Sequence, residues 1–294
     1  MRTYAFETWD VFTDQRFCGN PLAIVTNANG LSDHEMQMIA REFNLSETTF
    51  ILPPDGPDHD VRVRIFIPTD ELAFAGHPTI GTALSIATKR GSYDPMIMRL
   101  KAGDFPIRYD TAGPIPRATF RNPIDPTVKN LNGLRAPLAA ALGLPIDAIA
   151  DGLNAPCAAG AGTDFVFAKV NETDLPKCVI DSGALSSLYR DYGVGVGIFA
   201  EHQVPDADYQ MRLFAPAANI PEDPATGSAA CALPAVISRT GALADGDYTW
   251  TIRQGIEMRR PSTIKINFSI SKKQPHALEV SGTAIQIQRG ELTM

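Results

Sequence analysis

This chain lacks paired cysteines: Cys18, Cys157, Cys178 and Cys231 lie far apart and form no C-x-x-C unit. That spacing excludes a disulfide framework and a structural zinc site, leaving reduced thiols that are mostly buried. Long apolar runs are missing as well. The longest, over residues 229–237, is too short to span a bilayer and contains Pro234. No block of like charge is present, and the largest basic clusters are Arg259-Arg260 and Lys272-Lys273 in a chain of net charge −7. A nucleic-acid footprint needs a clustered basic face, so no nucleic-acid partner is expected. The first residues carry no positive-then-apolar pattern of a signal peptide. Gly193-Val194-Gly195-Val196-Gly197-Ile198 does not satisfy G-x-G-x-x-G, there is no P-loop, and the stretch reads as a tight approach to a strand. A soluble cytoplasmic protein with no membrane partner is the expectation.

What is present is an ordinary globular composition, 44% hydrophobic and 20% charged over 294 residues, enough for a substantial core. Length suggests about two domains, and a duplication sharpens that. Arg64-Ile65-Phe66-Ile67-Pro68 is echoed 148 residues later by Arg212-Leu213-Phe214-Ala215-Pro216. Each copy leads into a small-residue turn and an apolar helical run, Ala75-Gly76-His77-Pro78-Thr79 in the first and Ala225-Thr226-Gly227-Ser228-Ala229 in the second. The helical runs, read over 79–90 and 229–239, have almost no polar face, so each is expected to be buried on all sides. A helix N-terminus offers unpaired backbone N–H groups. Two such ends facing one another would suit a small anion.

Alternating strand patterns dominate the rest. They fall at 5–12, 22–26, 48–52, 61–67, 96–100 and 106–109 in the first half. The second half offers 165–170, 195–199, 209–214, 248–253, 263–270 and 283–288. Ser32-Asp33-His34-Glu35 reads as a capping box for a helix striped by Met36, Ile39, Ala40 and Phe43. Pro137 suits the first turn of a helix running to 142. The pattern is α+β and too strand-rich for a doubly wound nucleotide fold. A boundary is expected within 111–127, and the strand near 281–287 is expected to return to the first sheet.

Three places carry candidate chemistry. His77 stands at a helix start, where the positive helix end favours its neutral form; it suits proton relay or substrate binding, or simply capping. Asp223 and Ser228 bracket the second helix start, where Thr226-Gly227-Ser228 can present N–H groups and hydroxyls to an anion. Capping is the usual work of such residues. Glu47 opens a strand, where a carboxylate is usually solvated, though a buried one can serve as a general base.

Four ordered motifs sharpen these alternatives. Phe17-Cys18-Gly19-Asn20-Pro21-Leu22-Ala23, Leu45-Ser46-Glu47-Thr48-Thr49-Phe50, Glu71-Leu72-Ala73-Phe74-Ala75-Gly76-His77-Pro78-Thr79 and Glu222-Asp223-Pro224-Ala225-Thr226-Gly227-Ser228-Ala229 together closely resemble the PhzF family of phenazine-biosynthesis-like proteins. The resemblance runs nearly end to end, through Val280-Ser281-Gly282-Thr283-Ala284. It implies the diaminopimelate-epimerase-like fold, two pseudo-symmetric halves each with a curled, mostly antiparallel, barrel-like sheet around a central buried helix. The halves would comprise residues 1–125 with 283–294, and 126–282, with the active site in the cleft between them.

The resemblance further implies a cofactor-independent isomerase, a homodimer, acting on a small carboxylate-bearing substrate such as a dihydro-hydroxyanthranilate. Glu47 would shuttle the proton, with His77 and Asp223 beside it as catalytic groups. Asn20, Gly76, Thr226, Gly227 and Ser228 would bind substrate. Racemases of that fold place a cysteine at each helix start, where this chain has Ala75 and Ala225, so two-thiol racemisation is disfavoured. The chain departs from the family at Arg259 and Asn219, where glycine is usual, and at Ala230, where many members carry histidine. A non-catalytic anion-binding protein of the same fold is the principal alternative. A Ser228-dependent hydrolase is disfavoured because no G-x-S-x-G elbow surrounds that serine.

Overall fold

The computed structural model describes residues 1–294 and divides into two compact units, Met1–Arg121 with Ser281–Met294, and Asn122–Val280. In chain order the first unit contains β1 (Thr3–Val11), β2 (Asn20–Val25), α1 (Asp33–Phe43), β3 (Glu47–Leu52), β4 (Val61–Phe66), β5 (Glu71–Leu72), α2 (Gly76–Arg90), β6 (Met96–Leu100), β7 (Gly103–Asp110) and β8 (Arg117–Arg121). The second holds β9 (Thr127–Asn130), α3 (Arg135–Ala141), β10 (Cys157–Gly160), β11 (Asp164–Lys169), α4 (Ser182–Tyr189), β12 (Val196–Glu201), β13 (Tyr209–Ala215), β14 (Ile220–Asp223), α5 (Gly227–Ser238), β15 (Gly246–Gln254) and β16 (Ser262–Ser271). A last long strand, β17 (Gln274–Thr293), pairs antiparallel with β1 from Ala284 onward.

The first unit is a closed ring. β1 pairs with β2, β2 with β3, β3 with β4, β4 with β6, β6 with β7, β7 with β8, and β17 with both β8 and β1. Closure removes the exposed edges that an open sheet would carry. Residues 76–87 of α2 are buried without interruption, as an apolar helix inside a barrel requires. At Gly81 a Cβ would meet side-chain atoms of Val11 and Leu22 at 2.7 Å, so the helix lies close against β1 and β2.

The buried hydroxyls of Thr79, Thr82 and Ser85 on α2 are each given a partner, as burial demands. Thr79 Oγ1 donates to Ala75 O at 2.8 Å, and Thr82 shares a 2.9 Å hydrogen bond with Thr49 on β3. Ser85 Oγ donates to Glu7 on β1 at 2.7 Å; Trp9 Nε1 donates to the same carboxylate, and Lys89 pairs with it at 3.1 Å. Burial pushes the Glu7 carboxyl up, but these three partners outweigh it and hold it below the usual glutamate value.

The second unit repeats the plan. β9, β10, β11, β12, β13, β15 and β16 pair in succession, with β14 a short addition to β13. Eleven of the twelve residues of α5 are buried. α3 and α4 pack on the other face of this sheet, where Leu138, Leu142, Leu185 and Tyr189 join Val166 and Ile198 in one core. α1 does the same in the first unit, burying Met36, Ile39 and Ala40 against Phe50 and Phe66.

The α+β class and the capping box match the sequence-based expectation, with Ser32 and Glu35 satisfying each other's backbone N–H groups. Three differences have physical causes. α2 and α5 begin earlier than their apolar runs, at Gly76 and Gly227, because their first turns are made of small residues and His77 rather than of hydrophobes. The expected boundary region contains β8, whose alternation is hidden between Pro116 and Pro123. β10, β14 and α4 were not anticipated; the first two are four residues long, too short to show a period.

The repeated strand carries a device that its sequence only hinted at. Arg64 forks onto Glu71 with bonds of 2.7 and 3.0 Å, and Arg212 forks onto Glu222 with bonds of 2.8 and 2.9 Å. Each guanidinium also lies over the phenylalanine two residues on, 5.1 Å from Phe66 and 4.9 Å from Phe214. In both copies the glutamate stands five residues before the first residue of the buried helix. The clamp thus fixes where each connector leaves the sheet.

Candidate active site

Glu47 and His77 come together in the first unit through the packing of β3 on α2. Glu47 and Thr49 lie on one face of β3, separated by about 7 Å. His77 and Thr82 are separated by about 7.5 Å of rise along α2. The Thr49–Thr82 hydrogen bond ties β3 to α2, and Glu47 Oε2 lies 3.5 Å from His77 Nε2. The Glu47 side chain is only 12% exposed, unlike a carboxylate at an ordinary strand start.

His77 is the second residue of α2 and fully enclosed. Burial pushes its imidazole down from 6.5 to about 3, and the positive end of the helix acts in the same direction. It is therefore neutral at physiological pH and offers Glu47 a polar neighbour without a second charge. This has a consequence for stability. The unfolded chain binds a proton at His77 below about 6.5 that the folded chain refuses until about 3, so stability is lost as pH falls through that window. His77→Gln is expected to flatten the fall in urea midpoint between pH 7 and pH 4. An unchanged slope would show that His77 is not held neutral.

Asn20 lies on the neighbouring strand and is completely buried; its Oδ1 accepts from Ser46 Oγ at 3.1 Å, directly before Glu47. Leu22, two residues along β2, is the register partner of Glu47. Gly19 precedes this strand with φ +69°, and a Cβ there would come within 2.3 Å of Val11 O. Only glycine permits that approach of β2 to β1. Gly76 is the first residue of α2, and no side chain caps that helix.

In the second unit Asp223, Thr226, Gly227 and Ser228 gather at the start of α5. Thr226 is the N-cap, but its hydroxyl donates to Asp223 Oδ2 instead of capping, and no other side chain caps the helix. Gly227 and the half-buried Ser228 are its first two residues, so Ser228 holds the position in α5 that His77 holds in α2. The N-caps Ala75 and Thr226 are 151 residues apart. Sequence reasoning missed Gln254, a fully buried residue at the end of β15. It accepts from Thr226 N at 3.0 Å and donates to Asp223 O and Thr226 Oγ1 at 2.7 and 3.0 Å. An isolated polar residue ending an alternating strand gave no signal of this.

No cysteine stands at either helix start. Cys231 lies within α5 and burial pushes its thiol up to about 12, while Cys157 and Cys178 are pushed up to about 11 by the same cause. Such thiols are poor sources of thiolate at neutral pH. No helix is long and apolar enough to cross a membrane.

Known proteins resemble this chain along nearly its whole length. The model of the phenazine biosynthesis-like protein family matches residues 9–290. An uncharacterized isomerase of Mesorhizobium japonicum is 34% identical, over 99% of each chain. The trans-2,3-dihydro-3-hydroxyanthranilate isomerase of Pseudomonas aeruginosa is 32% identical, over 96% of each. Among solved structures, a phenazine biosynthesis protein of the PhzF family from Bacillus anthracis covers the whole of both chains, with a TM-score of 0.89 at 23% identity. That last likeness is one of fold.

Proposed function

Because this chain belongs to the phenazine biosynthesis-like (PhzF) protein family, we propose that it is a cofactor-independent isomerase that moves a proton on a small carboxylate-bearing substrate through Glu47. The carrying observation is a shielded carboxylate, Glu47, set 3.5 Å from a neutral histidine at an uncapped helix start. A general base must be within reach of the proton it removes and poised by its surroundings. Glu47 would take a proton from one carbon of a conjugated ring and return it to another on the same face, giving a ketone. A single carboxylate serves this better than stereo-inversion, which needs groups on both faces.

Backbone N–H groups at the uncapped starts of α2 and α5 suit an anion. The proposal assigns them to the substrate carboxylate or a developing enolate, with Asn20, Gly76, Thr226, Gly227 and Ser228 in contact. Preorganised donors of this kind are commonly worth about 3–4 kcal/mol each in the transition state. A dihydro-hydroxyanthranilate is the first substrate to try, since the Pseudomonas aeruginosa relative is named for it. A homodimer working in the cytoplasm is part of the same reading.

The decisive experiment is turnover of trans-2,3-dihydro-3-hydroxyanthranilate, and of other small unsaturated carboxylates, in D₂O without added cofactor. The expected result is isomerised product carrying solvent deuterium at the new C–H position. Tight binding of these compounds with no exchange would instead favour a non-catalytic anion-binding protein.

A further inference from the structure

The start of α5 contains a hydrogen-bond chain that runs from Gln254 through Thr226 to Asp223. Thr226 N–H can only donate, so the Gln254 side-chain atom it meets at 3.0 Å is the oxygen. Asp223 O can only accept, so the Gln254 atom 2.7 Å from it is the amide nitrogen. The same nitrogen donates to Thr226 Oγ1 at 3.0 Å. The Thr226 hydroxyl, while accepting from Gln254, donates its one proton to Asp223 Oδ2. Oδ2 of Asp223 is the acceptor at the end of this chain.

The backbone is shaped to allow this. Gly255 follows Gln254 with φ +73°, and a Cβ there would meet Arg260 O at 2.4 Å and Pro224 O at 2.7 Å. Any larger residue would push β15 away from the 223–226 turn. Gln254 itself is 0% exposed and has no contact with solvent to compete with these bonds. Buried side-chain networks with every member satisfied specify a single arrangement.

We infer that Gln254 and Thr226 are positioning residues that present Asp223 in one orientation, as a hydrogen-bond acceptor, to a donor group of the substrate. Gln254 acts only through its bonded neighbours, and the Thr226 hydroxyl acts through Asp223, whatever contact the rest of Thr226 makes with the substrate. The inference rests on the isomerase reading for its consequence in turnover, but not for the wiring. The substrate class it favours bears an O–H or N–H donor as well as a carboxylate. A fixed acceptor is of use only against a donor.

The test compares Thr226→Val, which keeps the shape and removes the hydroxyl, with Thr226→Ser, which keeps the hydroxyl. The first readout needs no substrate: the Asp223 rotamer, from Hα–Hβ couplings in the free protein. A single rotamer is expected in the wild type and Thr226→Ser, and averaged couplings in Thr226→Val. The second readout is turnover, expected to lose at least ~10-fold in kcat in Thr226→Val, as for a lost bond to a charged group. KM should stay within about threefold, and Thr226→Ser should recover most of the rate. A single Asp223 rotamer in Thr226→Val overturns the wiring, whatever the activity. Averaged couplings with wild-type kcat overturn the positioning role. If the wild type turns over none of the candidate acids, the isomerase reading fails, while the rotamer comparison still decides whether Gln254 and Thr226 hold Asp223.

Discussion

Glu47→Gln is expected to reduce turnover by at least ~10³-fold, toward the upper range for removal of a general acid–base group, with no loss of folding. The substitution keeps the shape of the side chain and removes its charge and its capacity to take a proton. The Glu47 side chain is only 12% exposed, which limits the access of bulk water to its carboxylate. KM is expected to change by less than about threefold, because binding is assigned to the helix starts and not to the base. Solvent deuterium should fail to enter recovered substrate. Glu47→Asp is a useful companion: it keeps the acid but withdraws it by about one C–C bond from His77 Nε2, and should retain a measurable fraction. Full deuterium exchange by Glu47→Gln would show that another group moves the proton. Parallel loss of melting temperature in Glu47→Gln would mean that the carboxylate serves the fold.

The placement of Glu47 shows what the sequence could and could not reveal. As a lone glutamate at a strand start it carried no sign of burial, and only the four ordered motifs drew attention to it. Its proximity to His77, like the Thr49–Thr82 bond between residues 33 apart, comes from the packing of β3 on α2, which no local pattern reports. The helices were legible because a continuous apolar run admits few other readings; their starts were not, because glycine, histidine and serine carry no hydrophobic signal. Gln254 was invisible for the same reason that it matters: it is one polar residue whose partners come from a turn some 30 residues earlier.

The departures from the family pattern also acquire a physical reading. Arg259 has φ +58° and Asn219 has φ +61°, both in the left-handed region. These are conformations in which glycine carries no steric penalty, and asparagine tolerates them better than most residues. Glycine at those positions therefore answers to backbone geometry. Its replacement leaves the turn intact at a local cost and does not remove a functional group.

The largest stability effect is expected at Arg212. Truncation to alanine should destabilise the fold by about 3–5 kcal/mol, the usual cost of breaking a buried ion pair by removing one partner. Arg212 is 7% exposed and serves four groups at once. It forks onto Glu222, donates to Leu175 O and Cys178 O at 2.6 and 3.1 Å, and lies 3.9 Å from Glu257. Burial already pushes the Glu257 carboxyl up, and removing the nearby cation would raise it further. Arg64, the matching residue of the first unit, is more exposed, and Lys101 stays 3.2 Å from Glu71 when it is removed. Arg64→Ala should therefore cost much less, about 1–2 kcal/mol. Chemical denaturation of the two variants, with the Arg212→Ala/Glu222→Ala double variant, measures the difference. The double variant should be less destabilised than the two singles predict, because the second truncation removes a carboxylate already stranded by the first. Equal losses for Arg64→Ala and Arg212→Ala would mean that the repeated clamps do equivalent work. In that case burial of the second one would contribute nothing of its own.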